Sequence, residues 1–227
     1  MPVFYPLTNK NTLYKKSFLF LAVLLLFTSV IYGQESTKKH FISTVGIHIG
    51  SSSQESFLGN DPDYSHDNKF INIQLTHVVK SNGNWSFELL AQPTYYQTTH
   101  QLLNLFYIRP EEFENFEELR DRFTQPNDYQ EYTLHVGLQI RYQFNKNLSL
   151  YAIGAVGPQI STESTERLRK GFTFSDMIGI GTSYEFQKLR WDFRASLRHT
   201  SNAQLAQPNS GHNSFSIETG VSYLFNK

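Results

Sequence analysis

Two short runs near the C-terminus carry residue types that can perform nucleophilic acyl transfer. Residues 199–203 read His-Thr-Ser-Asn-Ala, and residues 207–213 read Gln-Pro-Asn-Ser-Gly-His-Asn. A serine hydroxyl is a weak nucleophile, and it becomes reactive when a base lies within hydrogen-bond reach. Histidine can be that base, so His199 and Ser201 are the candidate base and nucleophile.

The spacing of this pair indicates how the chain must hold it. In a β-strand, residues two apart point to the same face, so His199 and Ser201 project together. The apolar residues of the same segment share that face: Trp191, Phe193, Ala195 and Leu197. The pattern therefore places both side chains on the apolar face of a strand, at its end.

A catalytic imidazole also needs a group that orients it, and two residues could do so. Asn213 has the parity of the apolar positions on the following strand, and can lie beside His199 across the ladder. Asp176 is expected on the apolar face of the preceding strand, level with His199. Glu218 has the opposite parity and is a poorer candidate. We hypothesise that Asp176 or Asn213 orients His199.

Alternation of apolar and polar residues predicts the strands that carry these positions. In residues 132–144, seven apolar or aromatic side chains fall on one face and six mostly polar ones on the other, a period of two. Seven other segments alternate in the same way: Phe41 to Ile49, Ile71 to Val79, Trp85 to Ala91, Leu148 to Val156, Phe172 to Tyr184, Trp191 to Leu197 and Phe215 to Phe225. The sequence therefore predicts an all-β fold of eight antiparallel strands.

The connections indicate an outer-membrane β-barrel. Short turns at 81–84, 145–147 and 187–190 alternate with longer segments at about 52–67, 99–130, 161–170 and 201–212. Bacterial outer-membrane barrels have even strand numbers, short periplasmic turns and longer outer loops. We therefore expect Ser201 at the outer end of its strand, facing lipid.

The polar face is predicted to fill the barrel interior. It carries charges of both signs, which must pair when buried: Glu88, Arg141, Glu185, Asp192, Arg194, Arg198 and Glu218. Aromatic residues near the short turns are typical of an interfacial girdle: Trp85, Tyr142, Phe144, Tyr184, Phe186, Trp191, Tyr223 and Phe225. The alternative is a water-soluble, lipocalin-type barrel with the apolar rows turned inward.

The N-terminus is typical of an exported protein. Three lysines precede an apolar run from Phe18 to Val30, and the sequence becomes polar after Gly33. We predict a signal peptide at residues 1–33 and a barrel at 34–227, because the run is shorter than the ~20 residues of a spanning helix. A membrane-anchored N-terminus is the alternative. No second segment of the sequence is long and apolar enough to be a membrane helix.

Charge and composition exclude several function classes. The chain has 20 basic and 20 acidic side chains, and removing residues 1–33 removes three lysines and no acids, which leaves 17 against 20. This balance argues against a nucleic-acid partner. With no cysteine, thiol chemistry is excluded. The histidines show no metal-ligand spacing and are interpreted as structural or exposed, so no metal or cofactor is expected: His48, His77, His100, His135 and His212.

The longest predicted loop contains a possible helix. Proline at a first helical position and acids in the first turn favour a short helix from Pro110 through Phe123. A disordered loop is the alternative.

The two C-terminal runs resemble a family motif. The pattern H-x-S-N-A, a short spacer and P-N-x-G is similar to that of the outer-membrane lipid A 3-O-deacylases, which are serine esterases. The resemblance implies that His199 is the base and Ser201 the nucleophile, with Asn202 and Asn209 stabilising the oxyanion or shaping the site. The family's orienting glutamate falls on Asn213, a departure that weakens stabilisation of the charged imidazolium.

The resemblance also implies a substrate and a mechanism. The barrel would cleave an ester-linked acyl chain of lipid A in the outer leaflet, through an acyl-enzyme and without a cofactor. A non-catalytic structural or porin-like barrel is the alternative from another class. A phospholipase on the same fold is a further one.

Overall fold

The computed structural model describes residues 41–56 and 61–225, and it shows eight antiparallel strands closed into a barrel. The strands are β1 Thr44–Ser53, β2 Tyr64–Asn82, β3 Trp85–Leu102, β4 Asn127–Gln143, β5 Leu148–Ser161, β6 Gly171–Phe186, β7 Leu189–Ser201 and β8 His212–Leu224. Each strand pairs with its sequence neighbours, and β8 pairs with β1. The predicted strand number and topology are confirmed. The signal peptide predicted at residues 1–33 lies outside the described residues.

The alternating sequence turns apolar side chains outward along every strand. On β7, Trp191 is 61% exposed while Arg194 is 0% exposed. Exposed aliphatic and aromatic residues recur in the same way on the other strands. An apolar outer band around a polar interior is the pattern of a barrel in lipid, and the lipocalin-type alternative, with apolar rows inside, is wrong.

The lumen is filled by paired charges. Arg141 lies 2.9 Å from Glu88, and Arg198 lies 2.6 Å from Glu131. Arg194 pairs with Glu218, which also contacts the ring of His48. Charges buried in a narrow interior are stable only when paired and hydrogen-bonded, so these contacts explain how the barrel tolerates them.

The barrel interior also has an apolar layer that alternation alone did not indicate. Leu90, Ile153, Ala155 and Met177 form a buried cluster. All four occupy inward positions on their strands. The lumen is therefore packed in part by ordinary hydrophobic contacts.

The aromatic girdle lies at the short-turn end, as expected. Trp85 packs on Tyr142 with ring centroids 4.8 Å apart, and Tyr223 packs on Phe225 at 5.2 Å. At the opposite end of the barrel, the strands extend further than the sequence indicated, since β3 runs to Leu102 and β4 starts at Asn127. The long connections share this end of the barrel.

The predicted helix starts later than Pro110. Helix α1 spans Phe116–Phe123, after a short 3-10 turn at Leu105–Tyr107. The reason is packing: Ile108 lies against Leu102 and Phe123. Its carbonyl oxygen accepts hydrogen bonds from Arg120 at 2.7 and 3.0 Å. The segment before α1 therefore folds back onto the helix instead of continuing it. Among the described residues, no helix is long and apolar enough to span a membrane.

Candidate active site

His199 lies at the loop end of β7 and is flanked by both predicted orienting residues. It pairs in register with Asp176 of β6 and with Asn213 of β8. Its side chain is exposed on the outer face, in the alternating row of Trp191. The expected parity and level of all three residues are thus observed.

Asn213, and not Asp176, is hydrogen-bonded to the imidazole. The Nδ1 atom of His199 lies 2.7 Å from Oδ1 of Asn213. Because an amide oxygen can only accept, Nδ1 carries the hydrogen and Nε2 keeps its lone pair. Within the described part of the chain, no hydrogen bond joins Asp176 to His199. The geometry therefore leaves Nε2 as the basic atom of the ring.

Ser201 follows on the same face, and Gly211 closes over both side chains. A Cβ atom on Gly211 would lie 3.1 Å from Cε1 of His199 and 3.6 Å from Cβ of Ser201. Gly211 also has φ +73°, a left-handed conformation that glycine adopts at low cost. A side chain at this position would therefore crowd the imidazole. Among the described residues, the Ser201 hydroxyl forms no hydrogen bond.

Asn202 and Asn209 fix the loop that follows Ser201. The backbone N–H of Asn202 donates to Oδ1 of Asn209 at 2.7 Å. The Asn202 side chain is buried, and its Nδ2 donates to the carbonyl oxygens of Ala206 at 2.8 Å and Pro208 at 3.2 Å. The side-chain amide of Asn202 is thus hydrogen-bonded within the loop, and Asn202 shapes the site. Asn209 is less buried than Asn202.

Neighbouring loops hold this last loop in place. Arg167 donates from Nε to the carbonyl oxygen of Gly211 at 2.9 Å, and its own carbonyl accepts from the Ser210 N–H at 2.8 Å. The hydroxyl of Tyr107 donates to Ser210 Oγ at 2.7 Å. On the inner side, the Asn213 N–H donates to the hydroxyl of Tyr64 at 3.2 Å. The segment around Ser201 is therefore braced by three other parts of the barrel.

Sequence reasoning missed a histidine cluster on the inner face. His66, His100 and His212 each offer a nitrogen, and these nitrogens lie within 4.8 Å of one another. Their sequence spacing is uninformative because His66 and His100 face each other across the β2–β3 pair, while His212 on β8 reaches them only when the barrel closes. The interpretation of His100 and His212 as structural or exposed residues did not include this cluster, and both are buried. All three residues occupy inward-facing positions of the alternating pattern, and this was the feature of the sequence that could have indicated the cluster.

The fold is that of an outer-membrane β-barrel, and its relatives place it in the carboxylic ester hydrolase class. Comparison with protein families matches residues 82–222, more than half of the chain, to the family described as lipid A 3-O-deacylase (PagL). The chain therefore belongs to the lipid A 3-O-deacylase family. That range contains all the predicted site residues.

A solved structure shows the same fold at low sequence identity, and two further structures give weaker matches. The crystal structure of the outer membrane enzyme PagL is 12% identical, with a TM-score of 0.51, and the match covers 78% of this chain and 98% of that one. The outer membrane protein OprG from Pseudomonas aeruginosa is 11% identical, with a TM-score of 0.44 and coverages of 85% and 100%. Neisserial surface protein A is 14% identical, with a TM-score of 0.41 and coverages of 81% and 96%. No curated protein sequence gives a significant match.

Proposed function

We propose that this barrel hydrolyses the ester that links an acyl chain to the 3-position of lipid A, with Ser201 as nucleophile and His199 as base. Family membership supports the reaction class and substrate. The observation that carries the assignment of residues is the Nδ1–Oδ1 contact of 2.7 Å between His199 and Asn213. It leaves Nε2 unprotonated and therefore able to accept a proton.

The reaction proceeds in two balanced steps. The Ser201 oxygen attacks the acyl carbonyl carbon while Nε2 of His199 takes the hydroxyl proton. The bond from that carbon to the sugar oxygen then breaks, and the imidazolium returns the proton to this oxygen. In the second step, His199 removes a proton from water, which attacks the acyl-enzyme. The bond from the acyl carbon to the Ser201 oxygen breaks, and the imidazolium returns the proton to that oxygen. The products are deacylated lipid A and a free fatty acid, and the serine is regenerated.

The position of the pair on the barrel suits a lipid substrate. His199 and Ser201 lie on the outer face, where the band of exposed apolar side chains ends and the loops begin. On neighbouring β6, Phe174 pairs with Ser201 in register, and Ile178 lies further down the same face. An acyl chain lying along this face would keep its ester at the level of Ser201 and its tail in the bilayer.

Asn213 replaces the family's glutamate and orients the ring without supplying charge. Its oxygen holds the tautomer that catalysis requires, but a neutral amide stabilises the imidazolium less than a carboxylate does. Asp176 flanks the opposite side of His199 without bonding to it. We therefore assign the orienting role to Asn213 and expect a slower enzyme than one with a carboxylate at this position.

Mass spectrometry of lipid A from cells that express the chain tests the proposal. Wild type is expected to remove one ester-linked acyl chain, and Ser201→Ala to leave lipid A fully acylated. Ser81→Ala is the matched control, because Ser81 is an exposed serine at the short-turn end of the barrel, away from the site. Identical, fully acylated profiles for wild type and Ser201→Ala would show a non-catalytic barrel. Release of fatty acid from glycerophospholipid vesicles but not from lipid A would instead show a phospholipase.

A further inference from the structure

Three buried histidines meet inside the barrel near its outer mouth. His66 and His212 stack with ring centroids 4.3 Å apart, and His100 lies 5.0 Å from His212 and 5.6 Å from His66. Each of the three is at most 2% exposed. One nitrogen from each ring lies within 4.8 Å of the others. The cluster is on the inner face and takes no part in the proposed ester hydrolysis.

The Nδ1 atoms of these rings are buried without a hydrogen-bond partner in the described part of the chain. Two of the rings are bonded through their other nitrogen. Nε2 of His100 lies 2.9 Å from the Glu166 carboxylate, and Nε2 of His212 lies 3.1 Å from Oγ1 of Thr165. A carboxylate only accepts, so Nε2 of His100 is the protonated atom and a neutral His100 ring presents a lone pair at Nδ1. Buried lone pairs without a partner are unfavourable and point to a missing ligand.

The charge around the cluster also favours a cation. The Glu166 side chain is buried, and within the described residues it contacts no lysine or arginine. The nearby guanidinium groups are paired elsewhere: Arg167 with Asp61 at 3.1 Å, and Arg198 with Glu131 at 2.6 Å. Glu166 therefore brings a buried negative charge that either a proton on His100 or a bound cation must balance.

We propose that His66, His100 and His212 bind a divalent transition-metal ion of the Zn²⁺ type, with Glu166 as the carboxylate that orients His100. Imidazole nitrogens suit Zn²⁺, and a ligand histidine commonly donates its other N–H to a carboxylate, as His100 does to Glu166. Tetrahedral Zn–N bonds of about 2.0–2.1 Å place ligand nitrogens roughly 3.3 Å apart, so nitrogens that now lie within 4.8 Å of one another must approach by up to about 1.5 Å. Rotation of the side chains supplies that movement.

The ion would tie together parts of the barrel that the hydrogen-bonded ladder does not join directly. His66 and His100 belong to the β2–β3 pair, and His212 belongs to β8, on the other side of β1. Glu166 comes from the loop between β5 and β6. Since His212 precedes Asn213, which also bonds to Tyr64, the ion would stiffen the segment that holds the orienting asparagine. Its role is structural and does not depend on the ester chemistry.

Metal titration of the purified barrel in detergent micelles tests this inference. The chain is treated with a chelator, and Zn²⁺ is then titrated in competition with a chromophoric chelator. We expect one tightly bound ion per chain. In a separate measurement, Co²⁺ should bind in the same stoichiometry with the intense visible absorption of a four-coordinate site. This second readout uses wild type and does not depend on variants that fold.

Variants locate the site. His66→Asn and His212→Asn should each weaken Zn²⁺ binding by more than about 100-fold, and Glu166→Gln by about 10–100-fold. His135→Asn is the matched control, because His135 is a buried lumen histidine that bonds to Ser175 outside the cluster. Its affinity should equal that of wild type. Absence of a stoichiometric ion in wild type overturns the proposal. So does equal binding by folded cluster variants, with folding judged by heat-modifiable mobility in gels.

Discussion

His199 donates from Nδ1 to Oδ1 of Asn213 across the β7–β8 ladder, at 2.7 Å. The contact links two outward-facing positions that are directly opposed in register. The side-chain amide of Asn213 fixes the tautomer of the imidazole, at the position where the family motif has a glutamate. The acceptor in this hydrogen bond is neutral, so it orients the imidazole without stabilising its charged form.

Asn213→Asp should raise kcat about fivefold, and Asn213→Leu should lower it by a similar factor. A hydrogen bond to a charged acceptor contributes roughly 1 kcal/mol more than a neutral one, and about 1.4 kcal/mol is a factor of ten in rate. The measurement is release of fatty acid from lipid A in mixed micelles.

Asp176→Asn is the companion variant for this prediction. Asp176 flanks the same ring in register but makes no hydrogen bond to it within the described residues. Its substitution should therefore change kcat less than Asn213→Leu does. A larger loss in Asp176→Asn would assign the orienting role to the aspartate instead.

Gly211→Ala should lower activity about 100-fold while the barrel still forms. The added Cβ would lie 2.5 Å from the Thr200 carbonyl oxygen and 3.1 Å from the imidazole, so the loop or the ring must move. Displacing a reacting group by about 1 Å can cost a factor of 100. The loss should appear in kcat for lipid A hydrolysis.

Gly83→Ala provides the control for this substitution. Gly83 also has a positive φ, +57°, but a Cβ there meets nothing within 4 Å. Both variants bear the backbone cost of alanine in the left-handed region. Equal activity losses in the two would mean that crowding at the site is not the cause.

Much of this architecture could be predicted from local alternation. The period of two identified each strand and its outer face, and strand parity with turn lengths placed Asp176 and Asn213 level with His199. These inferences succeed because register and face are fixed together: a slip of one residue would turn every apolar side chain into the lumen. Position along the strand and direction of projection therefore follow from the sequence.

Contacts that depend on barrel closure or on loop packing could not be predicted in this way. The meeting of His66, His100 and His212 requires that β8 return to the side of β1 and β2, which no local pattern encodes. The start of α1 at Phe116 depends on Ile108 packing against Phe123. The choice of Asn213 over Asp176 as the partner of His199 is set by side-chain geometry, since both are equally well placed in register.

Glu218→Gln should destabilise the barrel by about 3–5 kcal/mol, because it leaves the buried guanidinium of Arg194 without its ion pair. Glu163→Gln is the matched control: Glu163 pairs with Arg122 at 3.6 Å in an exposed loop contact, which contributes at most about 1 kcal/mol. Replacing Arg194 and Glu218 together by leucine should recover most of the loss, since the cost lies in the orphaned charge. Urea unfolding of the refolded barrel in lipid vesicles measures all three variants against wild type. A loss in Glu218→Gln no larger than that in Glu163→Gln would show that the lumen is hydrated enough to screen Arg194.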